Sequence, residues 1–392
     1  MRAWISLTLI ALGVSVAQAF GRFTYGVLLP AVRDDMTISN TIAGSISAVN
    51  VGAYLIGTLG VAWAAGHIRM LSVLRIGLLL TVAGLALAAV AQSPVVLALA
   101  LVLTGVGGAS VWIPAPIIAA DAMPPAHRSM AVGLLGSGIG LGIVFTGFIS
   151  AYVRTHYGDA GWNLVYGIDA AIACVTLVGL FFLVRHDQGQ TSQKGGIGGF
   201  GALRRMRGWL PLSLAYAAFG FMYLLIIGFL TTRLEDDSGW SASAAAYAFT
   251  LLGIAMVFGG PVSVAIEKRL GQRHTLSVVF ALWSVLTLVV LGGWTVPALI
   301  AIAGLGLLFT SVPALVTLYV VQNTNSNDYG PAYSAITLAF GVAQTVSPQA
   351  GGLIADLTGS FTWVFILSSA VGLLGLLASR KLPAPAPKQP PT

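Results

Sequence analysis

The sequence has very little charge and almost no cysteine. Of its 392 residues, 8% are Asp, Glu, Lys or Arg, while 57% are hydrophobic. Soluble domains carry about 25% charged residues. A mean hydropathy of +0.90 leaves more apolar surface than a water-soluble core can hide, so lipid must be the solvent. The single cysteine, Cys174, excludes an intramolecular disulfide and a cysteine-rich metal site. The five histidines (His67, His127, His156, His186, His274) are scattered near loops, without metal-ligand spacing. A phosphate-cradling loop ending in Gly-Lys-Ser or Gly-Lys-Thr is missing, so ATP does not drive the protein directly. Nothing points to covalent catalysis or a resident cofactor. Period-two alternation, the mark of a membrane barrel, is also absent.

What is present is a series of twelve apolar runs, each near the roughly 20 residues that cross a hydrocarbon core. They span 4–32, 41–64, 72–92, 95–119, 129–153, 162–184, 209–231, 243–266, 275–293, 297–321, 331–355 and 360–379. Backbone in lipid must satisfy its own hydrogen bonds, so runs of this length are α-helices. The 48 glycines suit helices packed closely in a membrane. Residues 185–208 are polar and basic and read as a linker, with Arg204, Arg205 and Arg207 at its end. The Pro-rich residues 381–392 read as a disordered tail.

An offset of 199 residues carries Phe20-Gly21 onto Phe219-Gly220, Gly60 onto Gly259, Gly105 onto Gly304 and Pro114 onto Pro313. Trp162 and Tyr166 fall on Phe361 and Phe365, and Asp34-Asp35 answers to Asp236-Asp237 at a nearby offset. A half-chain repeat of this kind is how many secondary transporters are built. The expected division is a first six-helix bundle at 1–184, a linker at 185–208, a second bundle at 209–380 and the tail. Ala17-Gln18-Ala19 imitates a signal-peptidase site. The repeat of Phe20-Gly21 in the seventh run instead makes this segment the first helix.

The net charge of +7 does not indicate nucleic acid, because the basic residues form no single face. With a cytoplasmic N-terminus, fifteen of the nineteen Lys and Arg lie at cytoplasmic ends, among them Arg69, Arg75, Arg128, Lys268 and Arg269. The other side holds Arg33, Arg154 and Arg233, and Arg22 lies inside a helix. This asymmetry places both termini, residues 185–208 and the tail in the cytoplasm of a bacterial inner membrane.

The organisation resembles the major facilitator superfamily over about residues 4–380. The superfamily's loop signature is degraded here: the first copy reads Ala64-Ala65-Gly66-His67-Ile68-Arg69, and the second, Glu267-Lys268-Arg269-Leu270-Gly271-Gln272-Arg273, keeps more of it. Phe20-Gly21-Arg22-Phe23-Thr24-Tyr25-Gly26 and Phe340-Gly341-Val342-Ala343-Gln344-Thr345-Val346-Ser347-Pro348 resemble the bacterial YbfB/YjiJ-like branch. The resemblance implies an all-α integral membrane protein: twelve transmembrane helices in two pseudo-symmetric six-helix bundles. It also implies a substrate cavity lined mainly by the first, fourth, seventh and tenth helices, and a monomeric carrier is expected.

Arg22 is the sharpest signal. It stands about ten residues from the outer end of its run, roughly 15 Å at 1.5 Å per residue, near mid-membrane. A charge there faces a cavity or a partner. One reading is a fixed cation for an anionic solute. The other is an ion pair with Asp169, the carboxylate farthest from a helix end, which is also the candidate proton carrier. Gln18, Tyr25, Trp112, Tyr223 and Gln344 are the polar and aromatic candidates beside Arg22 for substrate binding. Pro114 and Pro313 are expected to bend their helices at equivalent places and so shape or gate the cavity. The expected function is secondary transport of a small organic, anionic solute by alternating access, with a proton or counter-solute as the candidate coupling partner. Export of hydrophobic compounds is an alternative, and a non-transporting receptor or scaffold is a third reading of another class.

Overall fold

A computed structural model describes residues 2–64, 67–124, 127–184 and 199–383. Eleven helices are long and apolar enough to cross a membrane. In chain order they are α1 (Ala3–Asp35), α2 (Asn40–Ala64), α3 (Met70–Ala89), α4 (Pro94–Asp121), α5 (Met130–Tyr157), α6 (Asp159–Leu183), α7 (Trp209–Asp237), α8 (Ala242–Leu270), α9 (Gln272–Leu291) and α10 (Thr295–Asn323), with Thr362–Arg380 the last, α12. Between α10 and α12 lies α11 (Ser326–Thr358), whose 33 residues make it the longest continuous α-helix described. It is long enough to span but too polar to pass on composition, because the side chains it turns inward carry hydrogen bonds. Twelve spans result, in two six-helix bundles. No strand occurs among the described residues.

Local chemistry sets the helix ends. Ser93 caps α4, its hydroxyl accepting from Val96 N, with Pro94 at the first helical position. Ser241 and Asn325 cap α8 and α11 in the same manner. Gly158 and Gly359, both at positive φ, stop α5 and α11 where a side chain would be strained. The proline pair stands at breaks in the helices. The α-helical hydrogen bonding of α4 is interrupted between Trp112 and Ala115, around Pro114. That of α10 is interrupted at Thr310, three residues before Pro313. A helix must open where proline lacks its donor and crowds the preceding turn.

The halves meet through α2 on α11, α5 on α8, and α1 on α7. The first two contacts exchange under the internal repeat, so the seam is pseudo-symmetric. Even-numbered crossings put both termini and the linker on one face, here named the terminal face. On the opposite face the seam is tight. A Cβ at Gly44 would collide with the Pro348 carbonyl, one at Gly352 with the Asn40 carbonyl, and one at Gly26 with the Ile227 carbonyl. Toward the terminal face the same helices separate, and Gly60, Gly133, Gly136 and Gly260 have open space where a Cβ would stand.

Residues 185–198 of the expected linker and 384–392 of the expected tail lie outside the described residues. The remainder of the linker contains a short helix, Phe200–Arg205, held by an Arg205–Asp328 ion pair of 2.6 Å to the start of α11. The expected tail is corrected at its beginning. Lys381 N and Leu382 N still bond back to α12, and Leu382 is buried, because its side chain completes the apolar core.

Candidate functional site

The first helix is wrapped by protein along most of its length. From residue 13 to residue 32 every residue is buried except Arg22. One charged side chain therefore looks into the passage between the bundles while its neighbours pack. Its helix is locally irregular: Val16–Phe23 is π-helical, and the Thr24 N–H reaches back to the Ala19 carbonyl. Such a segment widens the turn and frees backbone carbonyls, and it is common at functional sites. Buried amides occupy those carbonyls and the adjoining helix. Asn50 Nδ2 donates to Gly21 O at 3.2 Å, Leu101 O at 2.8 Å and Thr104 Oγ1 at 3.0 Å. Gln18 Nε2 donates to Gly108 O at 2.9 Å.

Arg22 reaches across to the second bundle. Its Nη2 donates to Tyr223 Oη at 2.7 Å and to Gln344 Oε1 at 2.6 Å, and Tyr223 Oη donates to the same Oε1 at 2.7 Å. The guanidinium carbon lies 5.3 Å from the Tyr54 ring centre and 5.7 Å from that of Phe23. Such contacts contribute about 0.5–2 kcal/mol each. Behind Tyr223, Phe309 and Phe340 continue an aromatic wall, with centroid distances of 5.2 and 5.9 Å. Phe23 meets Phe309 edge-on at 6.0 Å. Arg22 Nε is buried without a partner, and no carboxylate among the described residues pairs with the side chain. Its positive charge is solvated by neutral dipoles and ring faces.

The expected Arg22–Asp169 pair is not made. Asp169 is fully buried, and its Oδ2 accepts from Thr24 Oγ1 at 2.8 Å. Arg22 and Thr24 are two residues apart on one helix, so their side chains leave it on opposite sides. Of the other expected site residues, Tyr223 and Gln344 join Arg22. Gln18 is buried against the α4 backbone. Tyr25 is buried too, its hydroxyl donating to Ala43 O at 2.9 Å. Trp112 is half-buried at the end of the first piece of α4 and takes no part in the bonds around Arg22. Sequence reasoning missed Tyr54, Phe309 and Phe340 as site residues, since one aromatic residue in an apolar helix looks like any other.

The opposite face is latched by polar bonds between the bundles. Arg154 grips Glu235 through two bonds of 2.6 and 2.7 Å and donates to Asp159 at 2.7 Å. Arg33 holds Asp236 in a two-point pair. Asp356, at the end of α11, accepts from the backbone N–H of Asn40 at 3.0 Å and of Thr41 at 2.7 Å, capping α2. Thr231 Oγ1 donates to Gly26 O at 2.8 Å between α7 and α1.

Comparison with known proteins agrees with this architecture. The chain is 23% identical over 391 residues to a hexuronate transporter of Bacillus subtilis (strain 168), covering 93% of this chain and 90% of that protein. The fold is similar to that of a D-xylose-proton symporter, with a TM-score of 0.76 at 13% identity, covering 97% of this chain and 98% of the symporter. It is also similar to a bacterial homolog of the human lysosomal transporter Spinster in an inward-facing, unoccupied conformation. There the TM-score is 0.73 at 16% identity, covering 98% of this chain and 99% of that one. At such identities the two structures bear on the fold alone. These relatives are transporters, not enzymes. The profile of the family described as "Uncharacterised MFS-type transporter YbfB" matches residues 14–380, and the chain belongs to that family of major facilitator superfamily membrane transporters.

Proposed function

We propose that this protein is a secondary carrier for a small organic anion, working by alternating access in a bacterial inner membrane with both termini in the cytoplasm. The observation that carries the reading is Arg22: the one half-buried residue in an otherwise buried stretch, at mid-bundle, with neutral partners only. A carboxylate would meet a planar guanidinium with unused donors and could bind it at two points. The ring faces of Tyr54, Phe309 and Phe340 would pack against its carbon skeleton. The hexuronate transporter among the relatives is compatible, since a hexuronate is a sugar that bears a carboxylate.

The side assignment rests on the Lys and Arg asymmetry. With it, the present conformation is open toward the cytoplasm and latched outside. Exchange of the latch for a seal at the cytoplasmic side, by rocking one bundle on the other, would complete the cycle. Export of hydrophobic compounds draws support from the aromatic wall, but an unneutralised guanidinium disfavours the cationic ones. A scaffold would need no such site, and a receptor would bind without flux. The deciding experiment reconstitutes the protein in liposomes and measures flux of hexuronates, short carboxylates, neutral sugars and cationic dyes. Saturable flux confined to anions is the expected result. Saturable flux of neutral sugars alone would end the anion reading, and binding without any flux would favour the receptor.

A further inference from the structure

A second polar centre lies in the first bundle, outside the bonds that hold Arg22. Asp169, on α6, is 0% exposed. Its Oδ2 takes the Thr24 hydroxyl at 2.8 Å, and Thr24 Oγ1 lies 3.3 Å from Thr146 Oγ1 on α5. Its Oδ1 has no hydrogen-bond partner. Ser150 Oγ and Tyr166 Oη, each one turn along α5 and α6, are likewise buried and unpartnered. No cation pairs with Asp169 in any described ion pair.

The helices packed on α6 are α1, α3 and α5. Of the ionisable groups on them, Arg22 is engaged with Tyr223 and Gln344, Tyr25 with Ala43 O, Arg33 with Asp34 and Asp236, Asp35 with Trp162, Arg75 with carbonyls at the end of α6, Arg154 with Glu235 and Asp159 and His156 with Tyr152 O, while Tyr152 and Tyr157 are exposed. On α6 itself the nearest ionisable group is the phenol of Tyr166. An ionised carboxylate with one oxygen unsatisfied, no counter-charge and no solvent exposure is among the costliest arrangements a protein interior can hold. A neutral acid in the same place leaves no charge uncompensated, and its Oδ2 still takes the Thr24 hydroxyl.

We infer that Asp169 is a proton-binding site of this carrier, occupied in the conformation described, with Thr24 joining it to the helix that bears Arg22. The inference rests on the carrier reading above and adds a coupling ion to it. With Asp169 neutral, Arg22 is the only net charge in the middle of the first bundle, and the pull on an anion is greatest. Once Asp169 ionises, a negative charge stands against the same short stretch of α1, and the pull weakens. Proton and anion therefore favour each other's binding, and by linkage the effect is reciprocal. Movement of α1 and α5 during the change of access would break the Thr24–Asp169 bond and let the proton leave. No bond to carbon is made or broken. One proton passes from water to Asp169 Oδ1 and back to water on the other side.

The test needs no substrate, so its failure is separable from failure of the carrier reading. Infrared difference spectra of purified protein, wild type minus Asp169→Asn at neutral pH, should show the carbonyl stretch of a protonated carboxylic acid. Thr24→Val should shift that band without removing it, which serves as a second reading if Asp169→Asn does not fold. Replacing sodium with choline should change neither result. Identical spectra for wild type and Asp169→Asn would overturn the inference. So would a band that appears only when sodium is removed, which would assign the site to a metal cation.

Discussion

The two bundles share a scaffold and divide the chemistry unequally. The 199-residue offset sets Phe221 in the place of Arg22, Ser368 in the place of Asp169, Tyr223 in the place of Thr24, and Phe145 in the place of Gln344. The one arginine and the one carboxylate at mid-membrane among the described residues thus belong to the first bundle, and the second supplies neutral hydrogen-bonding partners. Ser368 turns its hydroxyl to the Met222 carbonyl at 3.0 Å, satisfied within its own bundle, while Asp169 keeps an oxygen unpaired. By contrast, the loop acids keep their role. Asp35 accepts from Trp162 Nε1 at 2.8 Å, and Asp237 accepts from Phe361 N at 2.8 Å. Each ties the start of its bundle to the sixth helix of that bundle. The repeat preserves what holds a bundle together and diverges where the bundles face each other. The site is made only when both are present.

Making the halves alike at the site should do the most damage. Arg22→Phe, which installs the residue of the second half, and Arg22→Ala should both abolish flux in proteoliposomes while the protein still inserts. Arg22→Lys should restore little, because an ammonium lacks the planar fork. Full flux in Arg22→Ala would show that the asymmetry at this position does not matter. Next in size is the seam. Gly44→Val pushes a side chain into the Pro348 carbonyl and should keep the opposite face from closing. Cysteine-reactive probes should then reach Thr231→Cys, a near-isosteric change at a buried seam position, from that face, and the seam without Gly44→Val should protect it. Tyr223→Phe removes one bond to a charged group, about 1.5–3 kcal/mol, so anion affinity should drop roughly tenfold or more. Unchanged affinity would make Tyr223 a wall residue only.

Two smaller effects test the correction to the expected ion pair. In a stability cycle, Arg22→Ala and Asp169→Asn should be additive to within about 0.5 kcal/mol, as for residues without shared partners. Recovery of stability in the double variant would restore the direct pair. Smallest is Asp356→Asn, which weakens a cap at an exposed helix start by about 0.5 kcal/mol and should shift the balance slightly toward opening on that face.

The twelve runs and the repeat are legible in the sequence because span length and hydropathy report burial in lipid directly. Arg22 is legible because charge in an apolar run has few harmless explanations. The Asp169 pairing misled because the sequence gives depth along a helix but not rotation around it. Both groups sit near the same level, yet Arg22 and Thr24 leave α1 in opposite directions. The π-helical stretch adds to this, since one widened turn rotates everything after it and leaves no mark in composition. Tyr25 and Gln18 were expected beside Arg22 for the same reason.

The polarity of α11 has a consequence for how the chain is made. Eleven spans are apolar enough in composition to cross a membrane; α11 is more polar. Its Gln344, Ser347 and Asp356 serve partners on α1, α7 and α2, all synthesised well before it. A nascent α11 left alone in the bilayer would expose those groups to hydrocarbon, whereas against the waiting helices it meets acceptors and donors already in place. Its insertion is therefore a docking event and not a partitioning event. Most of the chain is then synthesised before the segment that completes the bonds around Arg22 has its partners to dock against.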